Sequence, residues 1–320
     1  MQLAKKLLST ELENFDELFK ESLKSEIPLL NDILSYVIKN KGKQIRPLFA
    51  LLCARMGGAI NEKSHRAALF TEILHTATLI LDDIIDESME RRGAFSINAL
   101  WKNKSTVWVG DYLFAKCLLL SLSHNDFKIL EIFNEAVQQM INGELLQLYK
   151  SRKLNLDEEG YYKIIKGKTA SFIAAACSAG ASSTFEDDAK IEKMHLFGEN
   201  VGIAFQIKDD LFDYGTSDVG KPRGNDIRDR KLTLPLIYTL NTCSPKLKKE
   251  LVNIIKHKNK DIDTIHFVIN EVNKAGGIQY TQTKMLHYRD EALKILHEFP
   301  ESESRTALEE LVRFTTDRTY

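Results

Sequence analysis

The amino-acid sequence predicts an all-α protein, one large helical bundle in a single domain over residues 1–320. Three observations predict it. Apolar residues recur at three- and four-residue spacing almost throughout, strand-type alternation is hard to find, and only six prolines and sixteen glycines interrupt 320 residues. The spacing is plain at Leu48, Leu51, Leu52 and Met56, and again at Ile129, Ile132, Phe133, Ala136, Val137 and Met140. We expect about ten or more helices.

Along the chain, the first helix begins at the N-terminus, where Met1–Lys6 runs into Glu11, Glu13 and Asp16 in an amphipathic pattern unlike a signal peptide. Breaks are expected at Asn40–Lys43, Gly57–Asn61, Arg92–Ala94, Ser123–Asp126, Ser151–Gly160 and Ser182–Asp187. Gly215–Arg230 (GTSDVGKPRGNDIRDR) is the strongest loop signal, rich in Gly, Asp and Arg. No linker composition and no short repeat divides the chain.

Composition narrows the function. Hydrophobic residues make up 43% and charged residues 28%, enough for both a core and a solvated surface. A formal net charge of -1 gives no global attraction to nucleic acid or anionic membrane. Any anion site must be built locally. Cys53, Cys117, Cys177 and Cys243 form no CxxC pair and read as small buried hydrophobes in a reducing compartment. Apolar runs such as Ile73–Leu81 and Phe172–Ala181 fall short of the ~18 residues that span a bilayer. The expectation is a cytoplasmic protein with no transmembrane segment and no nucleic-acid partner.

Two acidic boxes need a cation. Asp82, Asp83 and Asp86 continue an apolar helical run that starts near Phe70, and Asp209, Asp210 and Asp213 repeat the spacing after Val201, Ile203, Ala204 and Phe205. On a helix, positions i and i+4 share a face, so Asp82 projects with Asp86. A lone DDxxD is usually a solvated face. Two copies embedded in apolar sequence are different, because a desolvated carboxylate is costly unless paired or metal-bound. Carboxylate oxygens without His or Cys nearby suit Mg²⁺, which completes its shell with water and substrate phosphate. The pattern predicts a diphosphate held through bridging metals.

Basic residues supply the rest. Lys43 and Arg46 lie in KGKQIRP, Arg91 and Arg92 follow Asp86 closely, Lys168 precedes Thr169, and Lys221 and Lys231 lie in and just after the long loop. Singly each is an ordinary surface cation. Together they fit two anion sites, one metal-bound and one held by guanidinium and ammonium groups. His75 lies two helical turns before Asp82 on a similar face.

These residues resemble the trans-prenyl diphosphate synthase (polyprenyl synthetase) family. GKQIRP (Gly42–Pro47), DDIIDESMERRG (Asp82–Gly93), GKTA (Gly167–Ala170), FQIKDDLFD (Phe205–Asp213) and GKPRGND (Gly220–Asp226) follow in the family's order. The resemblance implies the isoprenoid synthase fold, a helical bundle around a deep central cavity, as a homodimer. It implies that Asp82, Asp86 and Asp209 ligate a cluster of Mg²⁺, three ions per site, with Asp83, Asp210 and Asp213 supporting. Arg91, Lys168 and Lys221 would grip the allylic diphosphate, with Lys231 nearby. Lys43, Arg46, His75 and Arg92 would hold isopentenyl diphosphate, and Thr169 and Gln206 would direct oxygen dipoles at the allylic cation. Gln44 departs from the family's frequent Arg, which implies a slightly weaker isopentenyl site. The C-terminal Asp317–Tyr320 is less basic than in many relatives.

The implied reaction is head-to-tail condensation of isopentenyl diphosphate with an allylic diphosphate, releasing diphosphate. It needs charge stabilisation on the leaving group, a dry pocket and alignment of two substrates, and no side-chain nucleophile. Small residues one turn before Asp82, Ala77 and Thr78, imply a long all-trans product such as a quinone side-chain precursor. Phe70 lies twelve positions before Asp82, ~18 Å along the helix, and could floor the cavity, as could other helices around Phe114 or Met140–Leu145. Geranylgeranyl or farnesyl diphosphate synthesis is the alternative product reading. A terpene cyclase would carry a mixed Asn/Ser/Glu second motif, and a non-catalytic subunit would lose part of a triad. Neither departure is present in Asp209–Asp213.

Overall fold

The computed structural model describes residues 1–91, 93–155, 157–214, 224–257, 259 and 261–317. Among these, sixteen α-helices and one two-stranded hairpin are present, which bears out the all-α expectation. Their contacts group into two compact units, Met1–Phe133 with Ala176–Met194 and Glu301–Leu308, and Asn134–Ala175 with His195–Pro300 and Glu309–Tyr320.

The first unit is organised by α5 (Glu62–Ile85), which packs against α2 (Ser9–Ser22), α4 (Ile45–Gly57) and α6 (Ile97–Ser123). Its start is set by a capping box: Asn61 Oδ1 accepts from the Ser64 amide at 3.0 Å, and Ser64 Oγ accepts from the Asn61 amide at 3.2 Å. Ala67, Ala68, Ile73, Leu74 and Ala77 are fully buried, so the helix is anchored along most of its length. It ends at Ile85, one residue before Asp86, and thereby delivers the first acidic box to its C-terminal turn. A hairpin of β1 (Glu90–Arg91) and β2 (Ala94–Phe95) follows, with Gly93 at φ 76 in its turn. The remaining N-terminal helices are α1 (Gln2–Leu7) and α3 (Pro28–Lys39).

Helix α6 carries a finding that uninterrupted apolar runs did not reveal. Its Lys104–Ser123 stretch is long and apolar enough, by length and composition, to cross a bilayer, although only about a third of it is buried. Asp111 and Lys116 interrupt the run, which is why it does not stand out as a string of apolar letters.

The second unit holds α8 (Glu158–Ile165), the second half of α10 (Asp188–Phe212), α11 (Asn225–Arg228), α12 (Leu234–Thr242), α13 (Pro245–His257), α14 (Ile262–Lys274) and α15 (Gly277–Leu296). Helix α12 enters with Pro235 in its first turn, where a missing amide hydrogen costs nothing, and packs against α15. Ile207, Leu234, Leu236, Leu251, Val268 and Val272 form the centre of its core. Helices α7 (Phe127–Lys153), α9 (Ser171–Ala181) and α16 (Glu303–Asp317) complete the set. Between α8 and α9 the chain forms a π-helical turn, Lys166–Ala170.

Candidate active site

In the first unit, Asp83 is buried and accepts from Arg91 Nε at 2.7 Å. The apolar surroundings of α5 make an unpaired carboxylate costly, and the hairpin brings Arg91 back to neutralise it. Asp82 is half-buried and Asp86 is exposed. Arg46, in the first turn of α4, meets His75 on α5, with Nη1 and Nε2 2.9 Å apart. A pocket of about 610 Å³, counting its open mouth, is lined by Lys41, Glu72, His75, Asp83 and Arg91 among others. Lys43 is exposed in the connection that precedes α4.

In the second unit, a chain of hydrogen bonds runs through the second acidic box. Thr169 Oγ1 donates to Gln206 Oε1 at 2.8 Å, Gln206 Nε2 donates to Asp210 Oδ1 at 2.9 Å, and Tyr161 Oη donates to Asp210 Oδ2 at 2.6 Å. Gln206 and Asp210 stand one turn apart on α10, which is why one side chain reaches the other. A pocket of about 710 Å³, again counting its mouth, brings together Lys168, Thr169, Gln206, Asp210, Asp226 and Lys231. Lys168 pairs with Glu144 at 2.7 Å, and Lys231 lies 3.3 Å from Asp229.

The π-turn places Lys168 and Thr169. Its wider winding pushes the backbone toward α7, where both facing residues are glycines. A Cβ on Gly143 would stand 2.8 Å from the Lys168 amide nitrogen, and one on Gly167 would stand 2.6 Å from the Gln139 carbonyl oxygen. Only glycine permits that approach. Such π-turns occur preferentially at functional sites.

Asp226 is a site residue that the sequence reading quoted within GKPRGND without singling out. It lines the second pocket, and burial, reinforced by the neighbouring Asp213 carboxylate, pushes its carboxyl up to about 7. Burial, with the Asp226 charge next, pushes Asp210 up to about 8, although the bonds from Tyr161 and Gln206 pull it back. Asp213 is raised by burial against the pull of the Asn225 and Asp226 amides, which donate to it at 2.9 and 3.1 Å. Composition offered no signal for it, since the same loop also carries Asp218 and Asp229.

The six aspartates therefore differ. Asp83 and Asp210 are buried, Asp82, Asp209 and Asp213 are half-buried and Asp86 is exposed, and protein donors reach Asp83, Asp210 and Asp213. Among the described residues, no three His, Cys, Asp or Glu side chains cluster closely enough to cage an ion alone. Oxygen donors without a closed cage fit a hard divalent ion that keeps water and phosphate in its shell. Neither pocket is lined by Lys43, Asp82, Asp86 or Asp209. Arg92 and Lys221, expected to bind diphosphate, lie outside the described residues, as does residues 215–223 of the long loop. Ala77, Thr78 and Phe70 are buried in α5, and Phe70 stacks on Phe133 with ring centroids 4.6 Å apart.

The polyprenyl synthetase family model matches residues 27–272. Octaprenyl diphosphate synthase of Escherichia coli K12 is 33% identical over 303 residues, covering 93% of each chain. A decaprenyl diphosphate synthase crystal structure from Rhodobacter capsulatus superposes with a TM-score of 0.94 at 32% identity, over 99% of this chain and 98% of the other. A polyprenyl synthase from Caulobacter crescentus, complexed with calcium and isoprenyl diphosphate, superposes at 0.92 with 34% identity, over 100% and 98%. The helical architecture is thus the isoprenoid synthase fold, and the chain belongs to the polyprenyl synthetase family, prenyltransferases that elongate prenyl diphosphates.

Proposed function

We propose that the chain catalyses Mg²⁺-dependent 1'-4 condensation of isopentenyl diphosphate with an allylic diphosphate, repeated to a long all-trans product. The observation that carries this reading is the match of residues 27–272 to the polyprenyl synthetase family, with both acidic boxes inside the matched stretch.

In this reading Asp82, Asp86 and Asp209 would hold three Mg²⁺ ions, and the metal would supply charge neutralisation for the departing diphosphate. Asp83, Asp210 and Asp213 would support the ion cluster through water or hydrogen bonds. Arg91, Lys168 and Lys221 grip the allylic diphosphate, with Lys231 nearby. Lys168 must exchange Glu144 for phosphate oxygen to do so. Lys43, Arg46, His75 and Arg92 hold isopentenyl diphosphate, whose double bond attacks the allylic carbon. Thr169 and Gln206 direct oxygen dipoles at the developing cation. The released diphosphate takes the proton.

Ala77 and Thr78 support a long product, suited to a quinone side chain, and so do relatives named for octaprenyl and decaprenyl products. A homodimer is supported by the exposed face of α6, where Val107, Trp108, Leu118, Leu119 and Leu122 lie along one side and Trp108 is 74% exposed. A cytoplasmic location is supported by the four free thiols.

The test is incubation with farnesyl and isopentenyl diphosphates with and without Mg²⁺, followed by chromatography of the prenyl products. Products beyond C20 that vanish with chelator are expected. Recovery of unextended C15 alone would defeat the long-chain reading, and full activity after chelation would defeat the metal assignment.

A further inference from the structure

The segment that precedes α4 is held from a distance. Lys41 Nζ lies 2.5 and 2.6 Å from the two carboxylate oxygens of Asp16, and Gln44 Nε2 donates to Asp16 Oδ1 at 3.3 Å. One carboxylate on α2 thus ties both ends of the 41–44 segment, which lies between α3 and the first turn of α4. The platform is rigid, because Phe15 and Phe19 flank Asp16 on α2 and are buried.

A second observation concerns Gln44. It caps α4 in the left-handed conformation, at φ 52 and ψ 38, without a side-chain cap bond. An L residue adopts that conformation only when its surroundings hold it there. The Asp16 carboxylate is such a hold. Lys43 and Arg46 lie on either side of Gln44, and Lys41 lines the first pocket together with His75 and Arg91. An exposed ion pair alone would carry little weight. Three bonds converging on one carboxylate, at a strained residue between two anion-binding side chains, carry more.

We propose that Asp16 is a positioning residue for isopentenyl diphosphate, fixing the 41–44 segment so that Lys43 and Arg46 meet the diphosphate preorganised. The inference rests on the assignment of Lys43 and Arg46 to that substrate. Asp16 touches no substrate atom, and its effect is entropic, through the ordering of the residues that do. Gln44 also stands where relatives by resemblance often carry Arg, and an arginine there would keep the link to Asp16.

The experiment is steady-state kinetics with each substrate varied in turn. Asp16→Ala is expected to raise KM for isopentenyl diphosphate about tenfold, the loss of a bond to a charged group, with kcat and the allylic KM within about twofold. Gln44→Leu should move the same KM in the same direction, Gln44→Arg should restore it, and Asp16→Ala with Gln44→Leu should be no worse than Asp16→Ala alone. A merely structural role would lower the melting temperature without selecting one substrate. Should Asp16→Ala not fold, Asp16→Asn keeps the size and one acceptor, and about a threefold rise is expected. An unchanged or lowered KM in the folded Asp16 variant overturns the inference, a lowered value meaning that the freed Lys41 binds substrate instead. Lys43→Ala and Arg46→Ala are measured beside it. If these raise the isopentenyl KM and the Asp16 variant does not, the anchor alone fails. If none raises it, the substrate assignment fails too.

Discussion

Gln206 Oε1 accepts from the Thr169 hydroxyl while its amide nitrogen donates to Asp210, so the two ends of one side chain face opposite tasks. The orientation of that amide follows from its partners: Asp210 Oδ1 accepts from the amide nitrogen, which leaves the carbonyl end toward the Thr169 hydroxyl. The helix period sets Gln206 one turn from Asp210, and the π-turn brings Thr169 to meet it.

Replacing Gln206 by Leu removes both bonds at once. We expect kcat to fall about 10- to 100-fold through the loss of a preorganised dipole at the reacting carbon. Binding constants should change less, because the dipole acts on charge that develops during reaction. Tyr161→Phe is the companion variant. It leaves a buried carboxylate short of a donor and should cost about 1–3 kcal/mol of stability, with a smaller effect on kcat. Rapid-quench turnover and urea unfolding separate the two outcomes. Wild-type kcat in the Gln206 variant would remove it from the chemistry.

The carboxyls of Asp210 and Asp226 make the metal-free protein sensitive to pH. Both are raised in the folded state, from 3.8 to about 8 and about 7, mainly by burial. A raised carboxyl is protonated when folded and ionised when unfolded. Its favourable contribution is complete below the unfolded value and is lost as pH rises through the folded one. Melting temperature without metal should therefore decline between about pH 4 and pH 8 from these groups. Mg²⁺ favours the ionised carboxylates, so it should stabilise more at pH 8 than at pH 6 and release protons at the lower pH. At a concentration a hundredfold above its dissociation constant the gain should approach about 2.7 kcal/mol. Calorimetry in two buffers of different ionisation enthalpy measures the protons released. Equal stabilisation at both pH values, with no proton release, would detach these carboxyls from the ion.

Helices and their breaks were legible because their signals are local. The breaks expected at Asn40–Lys43, Gly57–Asn61, Ser123–Asp126 and Ser182–Asp187 each fall between two helices, whereas those before Pro28, at Cys243–Ser244 and at Ala275–Gly276 were not anticipated. The acidic boxes were legible for the same reason, since Asp82 with Asp86 is a statement about one helix. What was not legible depends on distant partners. The Lys41–Asp16 and Lys168–Glu144 pairs join residues 25 and 24 positions apart, with no spacing to announce them. The hairpin at Glu90–Phe95 has strands of two residues each, too short for any alternation. The π-turn at Lys166–Ala170 (KGKTA) carries no sequence mark of its wider winding, and the close approach to it depends on Gly143, more than twenty residues earlier on another helix. Asp226 owes its raised proton affinity to burial beside Asp213, which no reading of the loop composition supplies.

The close contact of α7 with the π-turn is testable by adding one methyl group. In Gly167→Ala the new Cβ would stand 2.6 Å from the Gln139 carbonyl oxygen, closer than real contacts allow. The neighbour is backbone, so helix and turn must separate. We expect a cost of about 1–3 kcal/mol in stability from overpacking. Because the turn carries Lys168 and Thr169, kcat/KM should also fall, about tenfold or more for a displacement near 1 Å. Denaturant unfolding and kinetics on the same preparation check both. A variant with native stability and rate would show that the turn can move without consequence.

Product length tests whether α5 forms a wall of the product cavity. Phe70 stacks on Phe133 at an interplanar angle of 13°, and both rings are buried, while Ala77 lies two turns nearer the first acidic box and is fully buried. Phe70, Ala77 and Leu81 recur at seven and four residues and so share one helix face. A growing prenyl chain that follows this face passes Ala77 first and meets Phe70 last. Ala77→Phe should stop growth early and shift the product to fewer isoprene units, at a packing cost of about 1–3 kcal/mol. Phe70→Ala should do the opposite, opening space below and adding units, while losing about 3–5 kcal/mol from the vacated core. The opposite signs matter, because general damage to the enzyme lowers the amount of product and does not lengthen it. Chromatography of dephosphorylated products from both variants reads the shift directly. An unchanged distribution in Ala77→Phe would place the prenyl chain on another face, and an unchanged one in Phe70→Ala would place the floor on another helix.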